Sequence, residues 1–181
     1  MKNIIQSPQN NNHRKITAIT TKNLSRYSLY VALAFILSYV EALFPFSLGI
    51  PGVKLGLANI IIVYVLYTSP SLSGLYTVIL LRTVLTAFTF GNLSTLLYSM
   101  CGGFLSASGM FLLYKMNLFS VYGISIAGGV FHNIGQLIVA AFVLETPQLI
   151  YYMPVILFSG MIAGFCIGFI SNIITKRLHH P

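Results

Sequence analysis

Six apolar segments follow one another through this chain, at about 27–44, 51–69, 72–90, 94–114, 119–144 and 149–174. Short breaks separate them. Phe44-Pro45 closes the first, Pro51 opens the second and Ser69-Pro70 ends it. A Gly91-Asn92 turn leads into the fourth, and Lys115-Met116-Asn117 follows it as a loop. A membrane-spanning helix takes about 20 residues. Six of them occupy most of a chain of 181 residues and leave no room for a separate catalytic domain. Charged residues make up 7% of the chain and apolar ones 56%, whereas a soluble domain carries about 25% charged residues. Such a chain cannot cover its surface with polar groups. The reading is an all-α integral membrane protein with six transmembrane helices.

The ends differ from the middle. Residues 1–26 are polar, carry Lys2, Arg14, Lys15, Lys22 and Arg26, and are expected to form a disordered cytoplasmic tail. No small-residue cleavage pattern follows the first apolar run, so the tail is expected to be retained rather than removed as a signal peptide. Residues 27–175 form the membrane domain, and residues 176–181 a second short cytoplasmic tail with Lys176 and Arg177. Basic residues concentrate on the cytoplasmic side of membrane proteins. Both termini are therefore placed inside, which requires an even number of spans and also puts Lys115 inside. The net charge of +8 orients the chain and does not point to nucleic acid. The expected location is the cell (plasma) membrane of a bacterium.

Two absences narrow the chemistry. The sequence has no Asp, and its two acidic residues are Glu41 and Glu145. Asp-rich magnesium sites and most two-carboxylate acid–base pairs are excluded. There is no Gly-rich loop ending in Gly-Lys-Ser/Thr to cradle ATP. No enzyme activity, cofactor or metal is expected, and any work must draw on an ion gradient or a partner. Cys101 and Cys166 lie in apolar segments and read as small buried hydrophobes.

Ionisable and amide groups at membrane depth need a partner or a wet cavity. Lys54 is expected one turn into the second helix, where it either snorkels to the interface or helps free backbone N–H groups hold an anion. Arg82 lies about 12 Å from the outer end of the third helix, with Thr86 and Thr89 continuing its face. It either contacts a ligand or pairs internally with Glu41 or Glu145. On the fifth helix Gly128, His132 and Gln136 recur every four residues, with Asn133 beside them. This describes a cavity wall, although a lone helical histidine is often a satisfied core residue. Glu41 and Asn92 lie toward the outside, and Asn59 inside the second helix. Candidate solute-binding residues are thus Glu41, Lys54, Asn59, Arg82, Asn92, His132, Asn133 and Gln136, around a pocket opening outward. No metal-ligand spacing is present.

Small residues mark helix contacts: Ala34, Ser38 and Ala42 on the first helix, Gly102 and Gly103 on the fourth, and Gly160, Gly164 and Gly168 on the sixth. Such stripes allow close approach in lipid. They serve either packing within the chain or docking on a second membrane protein.

Several stretches carry a family resemblance: Pro51-Gly-Val-Lys-Leu-Gly-Leu-Ala-Asn59, Leu81-Arg-Thr-Val-Leu-Thr86 with Phe90-Gly-Asn92, Gly102-Gly-Phe-Leu-Ser106, and Gly128-Gly-Val-Phe-His-Asn-Ile-Gly-Gln136. Over about residues 25–175 the chain resembles the Gx transporter family, also called heptaprenyl diphosphate synthase component I. That family is in turn similar to the substrate-binding (S) components of energy-coupling factor (ECF) transporters. The resemblance implies an S-component-like six-helix bundle that binds a vitamin-like or cofactor-precursor solute. It also implies partners: a transmembrane coupling subunit and two ATPase subunits, with Ala34, Ser38 and Ala42 matching the docking stripe. The prenyl-synthase label describes a different activity. Enzymes of that type hold magnesium diphosphate through Asp-rich motifs, and this chain has no Asp. Two alternatives remain beside the transport reading: a non-catalytic membrane companion of a heptaprenyl diphosphate synthase, and a stand-alone transporter moving protons through Glu41 or His132.

Overall fold

The computed structural model describes residues 9–43, 56–143, 145 and 147–179. It is all-α, and each expected apolar segment has its helix. These are α1 (Gln9–Leu43), α2 (Asn59–Thr68), α3 (Leu72–Thr89), α4 (Leu93–Met116), α5 (Val121–Val143) and α6 (Met153–His179). A short 3-10 turn, Pro147–Tyr152, precedes α6. No strand occurs among the described residues.

Helix ends follow local chemistry. Ser71 caps α3 by accepting from the N–H of Gly74 at 3.4 Å. Asn92 caps α4 by accepting from the N–H of Thr95 at 2.8 Å and its hydroxyl at 2.9 Å. The left-handed Asn117, at φ 53°, ends α4. Side-chain oxygens satisfy orphan donors at a helix start, and asparagine tolerates the left-handed region at its end.

Two boundaries differ from the sequence reading. The helical backbone of α1 starts at Gln9, where a disordered tail to residue 26 was expected. Between Gln9 and Leu43 there is neither Gly nor Pro, so nothing in the sequence interrupts a helix continued outward from its apolar part. The apolar portion, Asn23–Leu43, is itself long enough to span. The second helix starts later than expected, at Asn59 rather than near Pro51. Gly56 adopts φ +73° and residues 57 and 58 form a turn. Only glycine enters that region without steric cost. At 10 residues, α2 is about 15 Å long, half the thickness of a bilayer core. The other five helices are long and apolar enough to cross a membrane.

The main contacts form a closed ring, α1 to α3, α4, α5, α6, α2 and back to α1, with α2 also touching α3. The short α2 is the most enclosed element, with Ile60, Ile62, Val63, Val65 and Leu66 buried. Large apolar side chains such as Leu33, Phe88, Phe142 and Phe165 face outward, as expected where lipid replaces water. Near the start of the apolar portion of α1 and in the second half of α2, Tyr27, Tyr30 and Tyr64 meet edge to face, as do Tyr67 and Tyr114.

Glycine seams hold α4, α5 and α6 together. A Cβ on Gly135 of α5 would lie 2.7 Å from the Cα of Gly102 on α4. A Cβ on Gly164 of α6 would lie 2.6 Å from the carbonyl oxygen of Ser125 on α5, and one on Gly129 would collide with the Gly160 carbonyl. Gly103 sits against Ile79 of α3. Close approach brings hydroxyls and amides to neighbouring carbonyls. Ser106 donates to Gly128 O at 2.8 Å, Ser125 to Gly164 O at 2.7 Å and Ser171 to Ile60 O at 3.3 Å. Each interhelical bond of this kind contributes about 0.6 kcal/mol in lipid.

The small-residue stripe of α1 is largely occupied by the chain itself. Ala34 and Ser38 are buried, and Ser38 faces α3. Ala42 is exposed.

Candidate functional site

The face of α3 that carries Ile79, Arg82, Thr83 and Thr86 follows the i, i+3, i+4, i+7 spacing of one helical stripe. Its lower part is apolar and seals against Gly103 of α4. Its upper part is polar. Arg82 is only 8% exposed and Thr83 3%. An ionised side chain at the centre of a spanning helix costs about 2.5–3.5 kcal/mol even on insertion scales, so its partners matter.

The protein supplies one. Nη1 of Arg82 donates to the Ser38 hydroxyl of α1 at 3.4 Å. Ser38 spends its own proton on Ala34 O, 3.0 Å away, which leaves a lone pair for the guanidinium. Nε and Nη2 of Arg82 have no hydrogen-bond partner among the described residues, nor do the hydroxyl oxygens of Thr83 and Thr86. Glu41 is the acidic side chain whose charge acts on Arg82. Its carboxylate is engaged elsewhere, because Oε1 accepts the N–H of Gly56 at 2.6 Å. This bond ties the last turn of α1 to the left-handed residue ahead of α2.

The remaining predicted residues that the structure describes separate into three groups. Asn59, the first residue of α2, is buried and packs over Gly56, with its Nδ2 2.9 Å from where a Cβ would stand. It therefore belongs with Glu41. His132 and Gln136 lie together on α5 against Gly102, whose missing side chain leaves them room. They are half-buried. Because Gly102 neighbours Gly103, and Gly103 meets Ile79, this pair stands across α4 from the stripe that carries Arg82.

Asn133 and Asn92 have structural engagements. Asn133 is buried on the α6 side of α5 and donates to Ile156 O at 2.7 Å. Asn92 is exposed, with Oδ1 committed to capping α4. Lys54 lies outside the described residues. Of the two threonines expected to extend the face of Arg82, Thr86 does so. Thr89 is exposed and donates to Leu85 O at 2.7 Å.

Two contributors were not read from the sequence as part of the site. Thr83 is on the same stripe as Ile79 and Thr86, and the i+4 spacing from Ile79 was the available signal. Ser38 was grouped with a packing stripe, although a hydroxyl in a row of alanines is also a donor-acceptor. No group of three His, Cys, Asp or Glu residues that could hold a metal occurs among the described residues.

The arrangement is thus a buried cation with an open donor edge, flanked by two hydroxyls with open capacity. The family model for heptaprenyl diphosphate synthase component I matches residues 30–174. The chain belongs to that family. The matched span takes in α1 from Tyr30 and every later helix up to Ile174, including all the site residues. The part of α1 before Tyr30 lies outside it. No curated protein and no solved structure matches the chain. As a member of this family with several apolar helices long enough to span, it is a multi-pass membrane protein.

Proposed function

We propose that this protein is the solute-binding component of an ECF-type uptake transporter in a bacterial cell membrane. It holds a small organic solute beside Arg82, and partner ATPases coupled through a transmembrane subunit supply the energy. The observation that supports this reading is the buried Arg82 with Nε and Nη2 open, next to the open hydroxyls of Thr83 and Thr86. A purely structural arginine in an apolar bundle would be expected to close all its donors on carbonyls or a carboxylate. The sequence supports the division of labour, since it has no ATP-binding loop and no Asp. It also supports a binding protein rather than an enzyme.

The family description favours a second reading, a non-catalytic membrane companion of a heptaprenyl diphosphate synthase. Without aspartate the chain cannot itself hold magnesium diphosphate in the manner of Asp-rich motifs. A mild-detergent pull-down of the tagged protein from its native membrane separates the two. Recovery of a membrane coupling subunit with two ATPases is the expected result. Recovery of a soluble prenyl synthase without ATPases would replace the transport reading by the companion reading.

A further inference from the structure

The guanidinium of Arg82 is not open at random. A guanidinium has an end-on edge, formed by its two terminal nitrogens, and a side-on edge, formed by Nε and Nη2. Here Nη1 is the nitrogen held by Ser38, while Nε and Nη2 are the two without partners among the described residues. The free donors therefore constitute one complete edge, with two parallel N–H bonds pointing the same way. That edge matches a group presenting two coplanar oxygens.

The charge environment limits which oxyanion fits. The described part of the site holds one cation, and Glu41 already acts on it. A group carrying two or three negative charges would meet one arginine and a neighbouring carboxylate. A monoanion would meet the same carboxylate with the least repulsion. Burial matters too. At 8% exposed, Arg82 does not face outward from the bundle, so a phospholipid headgroup would have to enter the bundle to reach it. The hydroxyls of Thr83 and Thr86 lie on the same helical stripe and can donate to or accept from the same ligand.

We infer that Arg82 binds a carboxylate of the solute side-on through Nε and Nη2, with the hydroxyls of Thr83 and Thr86 completing the site. This rests on the solute-binding reading above and names its ligand class: a small organic monoacid rather than a phosphate or diphosphate ester.

The test uses the full chain, labelled with 15N-arginine, in nanodiscs of neutral lipid. The Nε–H resonance of Arg82, assigned by its loss in Arg82→Lys, is followed while acetate, benzoate, inorganic phosphate and inorganic diphosphate are added in turn. The expected result is a saturable downfield shift with the carboxylates and a weaker response to phosphate and diphosphate at equal concentration. Thr83→Val and Thr86→Val keep the arginine and the side-chain shape. Each should weaken carboxylate binding by about three- to tenfold. Repeating the titration with phosphatidylglycerol in the nanodisc tests the lipid source. A shift already saturated by that lipid overturns the inference in favour of a headgroup. Preferential response to diphosphate overturns it in favour of a phosphorylated ligand, and no saturable response to any anion overturns it outright. ATPase partners recovered from the membrane together with a fork that ignores carboxylates would sink this inference while leaving the transport reading standing.

Discussion

The two halves of the bundle bury similar polar side chains and treat them differently. On the α4–α5–α6 side, Ser106, Ser125 and Asn133 each donate to a backbone carbonyl across a helix contact, at 2.7 to 2.8 Å. On the α1–α3 side, Arg82, Thr83 and Thr86 keep donors and hydroxyls with no partner among the described residues. Glycine accounts for the first behaviour. Where Gly102 meets Gly135, and Gly129 meets Gly160, backbones come close enough for a short side chain to reach the next helix. Around Arg82 the neighbours are Ser38 and Glu41, and Glu41 is drawn away to Gly56. A polar group satisfied across a seam holds helices together. A buried polar group left without such a partner is, on the reading proposed above, the one that meets the ligand.

That comparison is most exposed to Arg82→Ala. If the open edge is a binding site, solute binding should fall by about a hundredfold or more, measured by uptake or direct titration. Thermal stability in detergent should change little, because among the described residues the guanidinium has a single hydrogen bond, 3.4 Å long. Marked destabilisation with unchanged uptake would show that the two halves are alike. Gly164→Leu probes the other half. Its side chain would meet Ser125 O and the Ile126 Cα, and overpacking of this kind costs about 1–3 kcal/mol. The expected result is a lower unfolding temperature with ligand affinity retained in the folded fraction. Ser125→Ala should have the smallest effect, about 0.6 kcal/mol for one interhelical hydrogen bond, with no change in solute affinity.

Much of the fold was legible in the sequence, because apolar segments bounded by Pro, Gly-Asn and Lys-Met-Asn specify where helices begin and end. The exceptions have local causes. The stretch from Pro51 reads as the opening of the second apolar helix, although Gly56 is the residue type that admits the left-handed turn ahead of α2 at Asn59. The polar stretch before residue 27 reads as tail, yet it has no residue between Gln9 and Tyr27 that stops a helix. At the candidate site, the shared face of Arg82 and Thr86 was legible, but the grouping of the other polar residues was not. His132 and Asn133 are adjacent in sequence and about 100° apart around the helix. One lies against Gly102 of α4 and the other bonds to Ile156 of α6. Small-residue stripes reveal that a helix will be approached closely, but not by what. The partner of Ser38 turned out to be Arg82 of the same chain.

The most direct measurement is an experimental density map of the protein purified from its own membrane, read at Arg82. The account predicts density not belonging to the polypeptide, lying in the plane of the guanidinium against Nε and Nη2 and within reach of the Thr83 and Thr86 hydroxyls. An Nε–Nη2 edge closed instead by carbonyls or a carboxylate of the chain itself would contradict it. Arg82 would then be as structural as Asn133.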